Sequence, residues 1–365
     1  MLGNLNGEQT LGRGRLFWLG FVIVVALLAF APEFVSRYQI ITYSNFLISG
    51  FLALSLCLIW GYTGILSLGQ AAFFGIGGYA YGIISINFIE THGNTNLALL
   101  GGILIPVVVA LIVGLVMFYA RLKGVYVAIL MLVVSLLMEL FLLQTADPFY
   151  RLGLAALGGF NGLQSAGPDA PSLPSLILGL GESVIEFDGR NTTFYYLVLS
   201  TLVVVYLALR WLVNSSYGYV LIGCREDLDR TESIGYDVRI IQLSVFCLAA
   251  AIAGLSGVFY TSWGTFVHPN SFGVSANILP VIWVSVGGRK DLTAALVGCL
   301  LLEWVSLQLA SKGSYSMLVM GAIMVLVMLL APRGLILQFG EWLQRLCTPK
   351  AKTNTYEIID NQGDS

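Results

Sequence analysis

Residues 61–82, GYTGILSLGQAAFFGIGGYAYG, form the densest glycine segment of the chain and decide how it folds. Ser67, Ala71 and Gly75 recur at every fourth position, and Gly78 continues the same stripe along a helix. Small side chains at this spacing let helix backbones approach closely, which is how helices associate inside a membrane. The segment therefore predicts a helix packed tightly in the interior of a membrane protein.

The composition of the whole chain agrees with this class. Hydrophobic residues make up 57% of the 365 residues and charged residues only 10%, against about 25% charged in soluble domains. The net charge of −2 gives no electrostatic basis for binding nucleic acid. The five cysteines show no metal-binding spacing and are predicted to be reduced, free thiols.

Apolar segments long enough to cross a bilayer, which takes about 20 helical residues, follow one another along the chain. The predicted spans are 16–31, 39–60, 65–88, 98–119, 125–143, 194–213, 240–262, 272–288, 292–310 and 315–331. The predicted fold is therefore an all-α, polytopic transmembrane bundle of about ten spans. Pro280 interrupts the hydrogen bonds of the eighth span, which is compatible with a discontinuous or re-entrant helix.

Basic residues orient the spans, because short cytoplasmic loops are enriched in Lys and Arg. Alternation from a cytoplasmic N-terminus also places the C-terminus inside and the loops 89–97 and 263–271, which contain no Lys or Arg, outside. The residues that set this orientation are Arg13, Arg15, Arg121, Lys123, Arg225, Arg230, Arg239, Arg289 and Lys290. Four basic residues depart from it: Arg37, Arg151, Arg190 and Lys312.

The spans divide the chain into domains. Residues 1–15 are predicted to be a cytoplasmic segment, residues 16–338 the transmembrane domain, and residues 339–365 a partly disordered cytoplasmic tail. Within the transmembrane domain, residues 144–193 form a long external loop, and residues 214–239 a cytoplasmic loop.

The first span has a second interpretation as a secretion signal. It has a basic start, an apolar stretch and the small residues Ala29 and Ala31 where a signal peptidase would cleave. Pro32 follows directly and should hinder cleavage, so an uncleaved span is favoured. The remaining topology is the same in both cases.

The loop at 214–239, NSSYGYVLIGCREDLDRTESIGYDVR, holds eight of the 38 Lys, Arg, Asp and Glu residues. Glu226 and Arg230 lie four residues apart, which supports a helix over 224–234. Gly235 is placed to cap its C-terminus. Apolar contact points are supplied by Leu221, Leu228 and Ile234.

A folded, charged, helix-forming insert between two spans predicts a docking surface on the cytoplasmic side. The alternative is a solvated connector. The candidate docking residues are Arg225, Glu226, Asp227, Arg230, Glu232 and Gly235.

Polar residues inside the predicted spans leave two interpretations of the bundle interior open. The glycine-rich helix either only packs or also lines a pathway, with Ser67 and Gln70 as its polar groups. Glu139 and Glu303 are intramembrane acids, which cost about 2.5–3.5 kcal/mol on insertion scales and normally face the protein interior. Glu303 is either a structural group bonded to a neighbouring helix or a substrate or proton site. The candidate pathway or packing residues are Ser67, Gln70, Gly75, Gly78 and Glu303.

Catalytic constellations are nearly absent. His92 and His268 fall in different predicted external loops, and no HExxH, GxSxG or GxxxxGKS/T motif occurs. The chain therefore has no Walker-type site at which to bind and split ATP. We expect no enzymatic activity, no metal and no cofactor.

Four stretches of the sequence resemble one family of membrane proteins. They are LIWGYTGILSLGQAAFFGIGGYA (58–80), SYGYVLIGCREDLDRTESIGYDV (216–238), IAGLSGVFY (252–260) continued by GTFVHPNSFGVSANILPVIWVSVGGRKDL (264–292), and MLLAPRGLI (328–336). Over residues 40–338 the chain resembles the membrane subunit of ATP-binding-cassette importers in the branched-chain amino acid and urea permease family.

Within that family the chain is more similar to the urea branch. IWGYTG (59–64), GGYA (77–80), FNGL (160–163) and IWVSVGGR (282–289) resemble urea-type permeases, whereas amino acid permeases have more aliphatic versions. The resemblance implies a multi-pass permease subunit of a bacterial inner membrane that moves a small polar solute, with urea favoured and branched-chain amino acids as the alternative. From another class, a self-sufficient ion-coupled transporter or channel would use Glu303 or Glu139.

The resemblance also implies partners. The charged loop would be a coupling helix seated on cytoplasmic ATP-binding subunits. A homologous second permease subunit would complete the pathway, and an extracytoplasmic binding protein would deliver the solute. Arg225, Glu226 and Gly235 match the family pattern S-x-x-G-R-x-x-x-A-I-R-E/D and its continuation, whereas three neighbours depart from it: Tyr219, Gly223 and Cys224.

Overall fold

Apolar helices account for most of the chain. The computed structural model describes residues 14–122, 124–147, 149–165, 172–180 and 183–310, with a few isolated residues beyond them. In these ranges the α-helices are α1 (Arg15–Phe34), α2 (Arg37–Leu56), α3 (Gln70–His92), α4 (Asn96–Tyr119), α5 (Val125–Leu143), α6 (Thr192–Val213), α7 (Ser216–Glu226), α8 (Leu228–Ser233), α9 (Val238–Gly264), α10 (Val274–Gly287) and α11 (Leu292–Ala310).

Eight helices of the described part are long and apolar enough to cross a membrane: α1 to α6, α9 and α11. A π-helical turn, Cys57–Tyr62, lengthens α2. These helices match eight predicted spans and confirm the polytopic helical bundle. α10 has 14 residues and is about 21 Å long at 1.5 Å per residue, so it is too short to cross alone. Eleven of the 17 residues of the tenth predicted span, 315–331, lie outside the described residues.

The third span begins later than predicted. The chain is not helical at residues 64–69, where Gly64 has a φ of +77°, and α3 starts only at Gln70. Ser67 therefore precedes the helix, and its placement on one helical stripe with Gly75 and Gly78 is wrong.

The eighth span is a single helix. α10 starts at Val274, after a 3₁₀ turn at Pro269–Phe272, and continues through Pro280. The discontinuity expected at this proline is therefore absent.

Three helices meet at glycines in the centre of the bundle. α9 packs against α2, α3 and α4, and α3 packs against α4. A Cβ atom at Gly77 of α3 would lie 2.5 Å from Gly254 O of α9 and 2.9 Å from Gly102 O of α4. Backbones are thus in direct contact, which confirms the tight interior packing predicted from the glycine-rich segment.

The predicted external loop is folded where the structure describes it. β1 (Arg151–Leu152), β2 (Ala155–Ala156) and β3 (Gln164–Ser165) form one antiparallel sheet, and β4 (Leu176–Leu180) and β5 (Ser183–Phe187) form another. Thr95, before α4, anchors β4 by accepting a hydrogen bond from Ile177 N at 2.9 Å. The two sheets form a small layer over the end of the bundle at which α3 ends and α4 begins.

α1 lies on the outside of the bundle, and none of its 20 residues, all of which are described, is buried. Tyr195 and Tyr196 of α6 donate hydrogen bonds from Oη to Leu28 O and Ala29 O. Near the other end of α1, the Phe17 ring covers the buried guanidinium of Arg210 in α6. The distance between the ring centre and Arg210 Cζ is 4.4 Å. α1 is therefore attached to α6 near both of its ends.

Candidate functional site

Basic side chains gather at one end of the helical bundle, opposite the two sheets. Arg225 bonds to Gly61 at the end of α2, and Arg121, which follows α4, pairs with Glu232 of α8. We call this end of the bundle the basic end. The positive-inside rule predicts that it faces the cytoplasm.

The charged segment forms two short helices instead of the single one predicted over 224–234. α7 begins earlier, and it ends at Glu226 because Asp227 is extended, with φ −158° and ψ 107°. The Asp227 carboxylate then caps α8 by accepting a hydrogen bond from Arg230 N at 3.0 Å. The predicted Glu226–Arg230 pair on one continuous helix is therefore wrong.

Arg225 links α7 to the end of α2. Its Nη1 donates a hydrogen bond of 2.7 Å to Gly61 O, and its Nη2 lies 2.8 Å from Glu226 Oε1. The Arg225 side chain is 17% exposed, whereas that of Glu226 is 65% exposed. A hydrogen bond from Arg225 and its positive charge lower the pKa of Glu226. Arg225 therefore acts from inside the fold, while Glu226 faces solvent.

Glu232 connects α8 to two further helix ends. Its Oε1 lies 3.2 Å from Arg121 Nη2 and 3.8 Å from Arg239 Nη2, at the start of α9. Exposed ion pairs contribute only about 0–1 kcal/mol each. They orient α8 over the ends of α4 and α9 more than they stabilise it.

Some apolar side chains of α7, α8 and the residues that follow α8 are exposed to solvent, and others are buried against the bundle. Ile234, directly after α8, is 71% exposed, and about half of Tyr219 and Tyr236 is exposed. Leu221, predicted as a contact point, is fully buried and packs into the core, so that expectation is wrong. Leu228 is partly buried. Ile234 is therefore the main apolar group that this surface presents.

The positions that depart from the family pattern occupy different environments. Tyr219 is exposed, whereas Cys224 is buried, and burial raises the pKa of its thiol. A Cβ at Gly223 would lie 3.2 Å from Thr231 Oγ1, so a small residue suits the contact between α7 and α8. Gly235 follows α8 with a φ of +102°, a conformation that favours glycine after a helix.

Replacing Arg225 by glutamine should loosen α7 from the end of α2. A hydrogen bond from a charged group contributes about 1.5–3 kcal/mol, so limited proteolysis within 214–239 should accelerate about tenfold or more. Arg230→Gln is the matched control, because the Arg230 side chain is exposed. Equal proteolysis rates in the two variants would contradict an internal role for Arg225.

A cavity of about 330 Å³ opens between α7, α8 and the ends of neighbouring helices. Its wall includes Thr63 and Ile65 after α2, Val127 of α5, Arg225 of α7 and Gln242 of α9. Parts of the chain that are far apart in sequence thus converge on one open space at the basic end.

Polar groups meet in the apolar interior at the start of α3. Ser55 Oγ of α2 lies 3.0 Å from Gln70 Oε1 and 2.7 Å from Ala249 O of α9. Asn277 Oδ1 of α10 accepts a hydrogen bond of 3.2 Å from Ala71 N. Gln70, a predicted pathway residue, therefore lies where α2, α3, α9 and α10 join.

The two predicted glycines of α3 lie against neighbouring side chains. A Cβ at Gly75 would collide with the Phe272 ring, and a Cβ at Gly78 would lie 2.5 Å from Thr261 Oγ1 of α9. These contacts favour the packing interpretation for Gly75 and Gly78.

The two intramembrane acids lie in different surroundings. Glu303 of α11 is partly buried and lies close to Ser49 of α2. Glu139 Oε1 of α5 lies 3.1 Å from the position that a Cβ at Gly273 would take, just before α10. The proximity of Ser49, on a neighbouring helix, is compatible with the structural interpretation of Glu303.

Two buried polar residues of the bundle interior are not among the candidate site residues that the sequence predicted. Arg210 of α6 is completely buried, and its Nη1 donates a 3.0 Å hydrogen bond to Tyr206 Oη, which lies 2.7 Å from Thr293 Oγ1. Placing an arginine inside a membrane span costs free energy, so the sequence alone could have marked Arg210 as a candidate functional or structural residue. Asn277 has no comparable signal, because nothing in its local sequence shows which backbone groups it meets.

The sequence is similar to known transport proteins over most of its length. Residues 39–328 match the family described as "Branched-chain amino acid transport system / permease component". The "High-affinity branched-chain amino acid transport system permease protein LivM" of Escherichia coli (strain K12) is 28% identical over 330 residues, covering 87% of this chain and 74% of the relative. The "Probable branched-chain amino acid transport permease protein LivM" of Methanocaldococcus jannaschii is 24% identical over 350 residues, covering 84% and 94%.

No solved structure shows significant similarity to the chain. The relatives and the eight apolar helices together identify a multi-pass protein of the inner membrane. Because the family match covers residues 39–328, it includes both the glycine-rich helix and the charged helix pair. The chain belongs to the family of branched-chain amino acid transport system permease components.

Proposed function

We propose that this chain is the translocation subunit of an ATP-driven importer of branched-chain amino acids. The observation that carries the proposal is the folded pair α7–α8 at the basic end, in a chain whose relatives are named as permeases for these solutes. Reversing the chain between two helices needs only about two to eight residues. A helix pair with its own caps and ion pairs therefore supports a docking surface over a plain connector.

Docking on this surface would move several helix ends together. Arg225 connects α7 to Gly61 at the end of α2, while Glu232 connects α8 to Arg121 and Arg239, at α4 and α9. α2 and α4 both pack against α9, and α9 and α4 pack against α3. A displacement of α8 would thus reach the helices that surround the start of α3.

The partners have separate places on the chain. Cytoplasmic ATP-binding subunits dock on the α7–α8 surface and supply the energy. An extracytoplasmic binding protein delivers the solute at the end that carries β1–β5, and a homologous second permease subunit completes the pathway. The residues assigned to the ATPase contact are Glu226, Asp227, Arg230, Glu232 and Gly235, with Arg225 linking them to the bundle.

The comparisons favour branched-chain amino acids over urea as the substrate. The relatives from Escherichia coli and Methanocaldococcus jannaschii are both named for branched-chain amino acids, and they align over more than four fifths of this chain. They give no support to the urea branch that the short segments 59–64 and 282–289 resemble. We therefore take the amino acid alternative as the proposed substrate class.

Uptake of radiolabelled leucine and urea by cells with and without this chain tests the proposal. We expect deletion to abolish chain-dependent leucine uptake, unlabelled valine and isoleucine to compete, and urea uptake to remain unchanged. Loss of urea uptake with retained leucine uptake would contradict the proposed substrate.

A second measurement tests the energy source. The purified chain alone, reconstituted in vesicles with an imposed proton or sodium gradient, should not accumulate leucine. Gradient-driven accumulation by the chain alone would contradict the importer and would point to a coupling role for Glu303 or Glu139.

A further inference from the structure

Two polar side chains at the start of α3 are buried without a partner for one of their polar atoms. Ser67 is 1% exposed and Gln70 is 2% exposed. Ser67 Oγ and Gln70 Nε2 have no hydrogen-bond partner among the described residues. Buried polar atoms are nearly always bonded, so an unpartnered pair at one place requires an explanation.

The hydrogen bonds around Gln70 determine which end of its amide is unpartnered. Ser55 Oγ has one proton and lies within reach of Gln70 Oε1 and Ala249 O. Ala249 O has a second lone pair with which it accepts from Ser55, so Ser55 keeps an acceptor in either case. Gln70 Oε1 thus has Ser55 Oγ within reach, whereas both Nε2–H groups of Gln70 have no acceptor among the described residues.

The position of these donors favours a negatively charged ligand. Gln70 is the first residue of α3, a helix of 23 residues, and a helix N-terminus carries a partial positive charge. Asn277 accepts from Ala71 N, so one backbone donor of the first turn is already used. The remaining donors, Ser67 Oγ–H and Gln70 Nε2–H₂, suit the two oxygens of a carboxylate.

The donors follow closely in sequence on the wall of the cavity at the basic end. That wall includes Ile65, two residues before Ser67, and Val127 of α5. Met131, one turn along α5 and about 6 Å further in, lies against the backbone of Gly69. Ser67 and Gln70 do not line the open cavity themselves, but its wall ends at Ile65, two residues before Ser67.

We propose that Ser67 and Gln70 form a subsite that holds the carboxylate of the transported amino acid on its way to the cavity at the basic end. The proposal rests on the proposed function and adds the residues and the chemical group that they recognise. Urea offers the donor pair only a neutral carbonyl oxygen, and hydrogen bonds to a charged carboxylate are stronger, so the subsite favours the amino acid.

Cysteine labelling tests access to the subsite and its occupancy. Ser67→Cys is introduced into the complete importer in inside-out vesicles, and an anionic methanethiosulfonate is added at the basic end during ATP turnover. We expect labelling above the background of the unsubstituted chain, and leucine at ten times its dissociation constant should slow it about tenfold. Leucinamide and urea should not slow it, because they lack the carboxylate. Gln242→Cys, in the cavity wall, is the control and should be labelled with or without leucine.

Three results would overturn the subsite. They are absence of Ser67→Cys labelling while Gln242→Cys is labelled, labelling that leucine does not slow, and equal protection by leucine and leucinamide. ATP-dependent release of radiolabelled leucine, enclosed with the binding protein in the lumen of the same vesicles, separates the two proposals. Release without protection contradicts the subsite alone, whereas absence of release contradicts the proposed function and the subsite with it.

Gln70→Met provides a readout that a purely structural role would not give. Methionine has a similar volume and removes the unpartnered donors, so the amount and thermal stability of the importer should be unchanged or increased. Leucine uptake should nevertheless fall about tenfold or more. Full uptake by a stable Gln70→Met importer would overturn the proposal.

Discussion

Replacing Ile234 by aspartate is expected to abolish leucine uptake while the chain remains folded in the membrane. Ile234 is 71% exposed directly after α8, so the substitution breaks little internal packing. If the ATP-binding subunit covers this side chain, aspartate places an unpaired charge in the interface. Interface hot spots contribute about 2 kcal/mol or more, which corresponds to about thirtyfold weaker binding.

Co-purification measures this effect. The Ile234→Asp chain should reach the membrane at the normal level and melt at the normal temperature, but it should lose the ATP-binding subunit in mild detergent. Phe160→Asp is the matched control, since Phe160 is 73% exposed but lies between β2 and β3, at the opposite end. Retention of the ATPase subunit by Ile234→Asp would contradict docking on α8.

Replacing Gly254 by leucine is expected to prevent accumulation of the folded chain. A Cβ at Gly254 would lie 2.7 Å from Gly102 O and 2.8 Å from Pro106 Cγ, both in α4. Separating the backbones of α9 and α4 at Gly254 would also separate α3 from α9, because Gly77 of α3 contacts both Gly254 and Gly102. Overpacking in a dense core costs about 1–3 kcal/mol and sometimes more, and no flexible side chain is present here to give way.

Size-exclusion chromatography of the chain in mild detergent shows whether it folds. Gly264→Leu, in the same helix, is the control, because the nearest atom to a Cβ there is Phe266 Cβ at 4.0 Å. We expect Gly254→Leu to aggregate and Gly264→Leu to elute like the unchanged chain. Normal elution of Gly254→Leu would show that the three-helix crossing tolerates separation.

Hydropathy predicted the spans well because the signal is local and additive. α5 begins and ends at the predicted residues 125 and 143, and α6 and α9 start two residues early. Membrane helices must satisfy every backbone group within their own segment, so an uninterrupted apolar run of the right length leaves little choice of structure. The small-residue spacing predicted close packing of this helix, but the backbone contact with Gly102 and Gly254 lies at Gly77, which is not on the predicted stripe.

The same local signals failed where the backbone departs from a helix. The spacing of Ser67 and Gly75 is helical, but Gly64 adopts a positive φ and the chain stays irregular until Gln70. The spacing of Glu226 and Arg230 is helical too, but Asp227 is extended and caps a second helix instead. Periodicity describes side chains on an existing helix, and it does not show where tertiary contacts end that helix.

The sequence by itself determined the membrane class, most spans, the end that carries the basic loops and the resemblance to the permease family. Only the tertiary structure decided which polar groups meet: Ser55 lies 194 residues from Ala249, Ala71 lies 206 residues from Asn277, and Arg225 lies 164 residues from Gly61. Hydropathy is summed over consecutive residues, so the order of residues along the chain is enough to predict a span. A hydrogen bond in an apolar interior depends on how distant helices pack, and no local pattern records that packing.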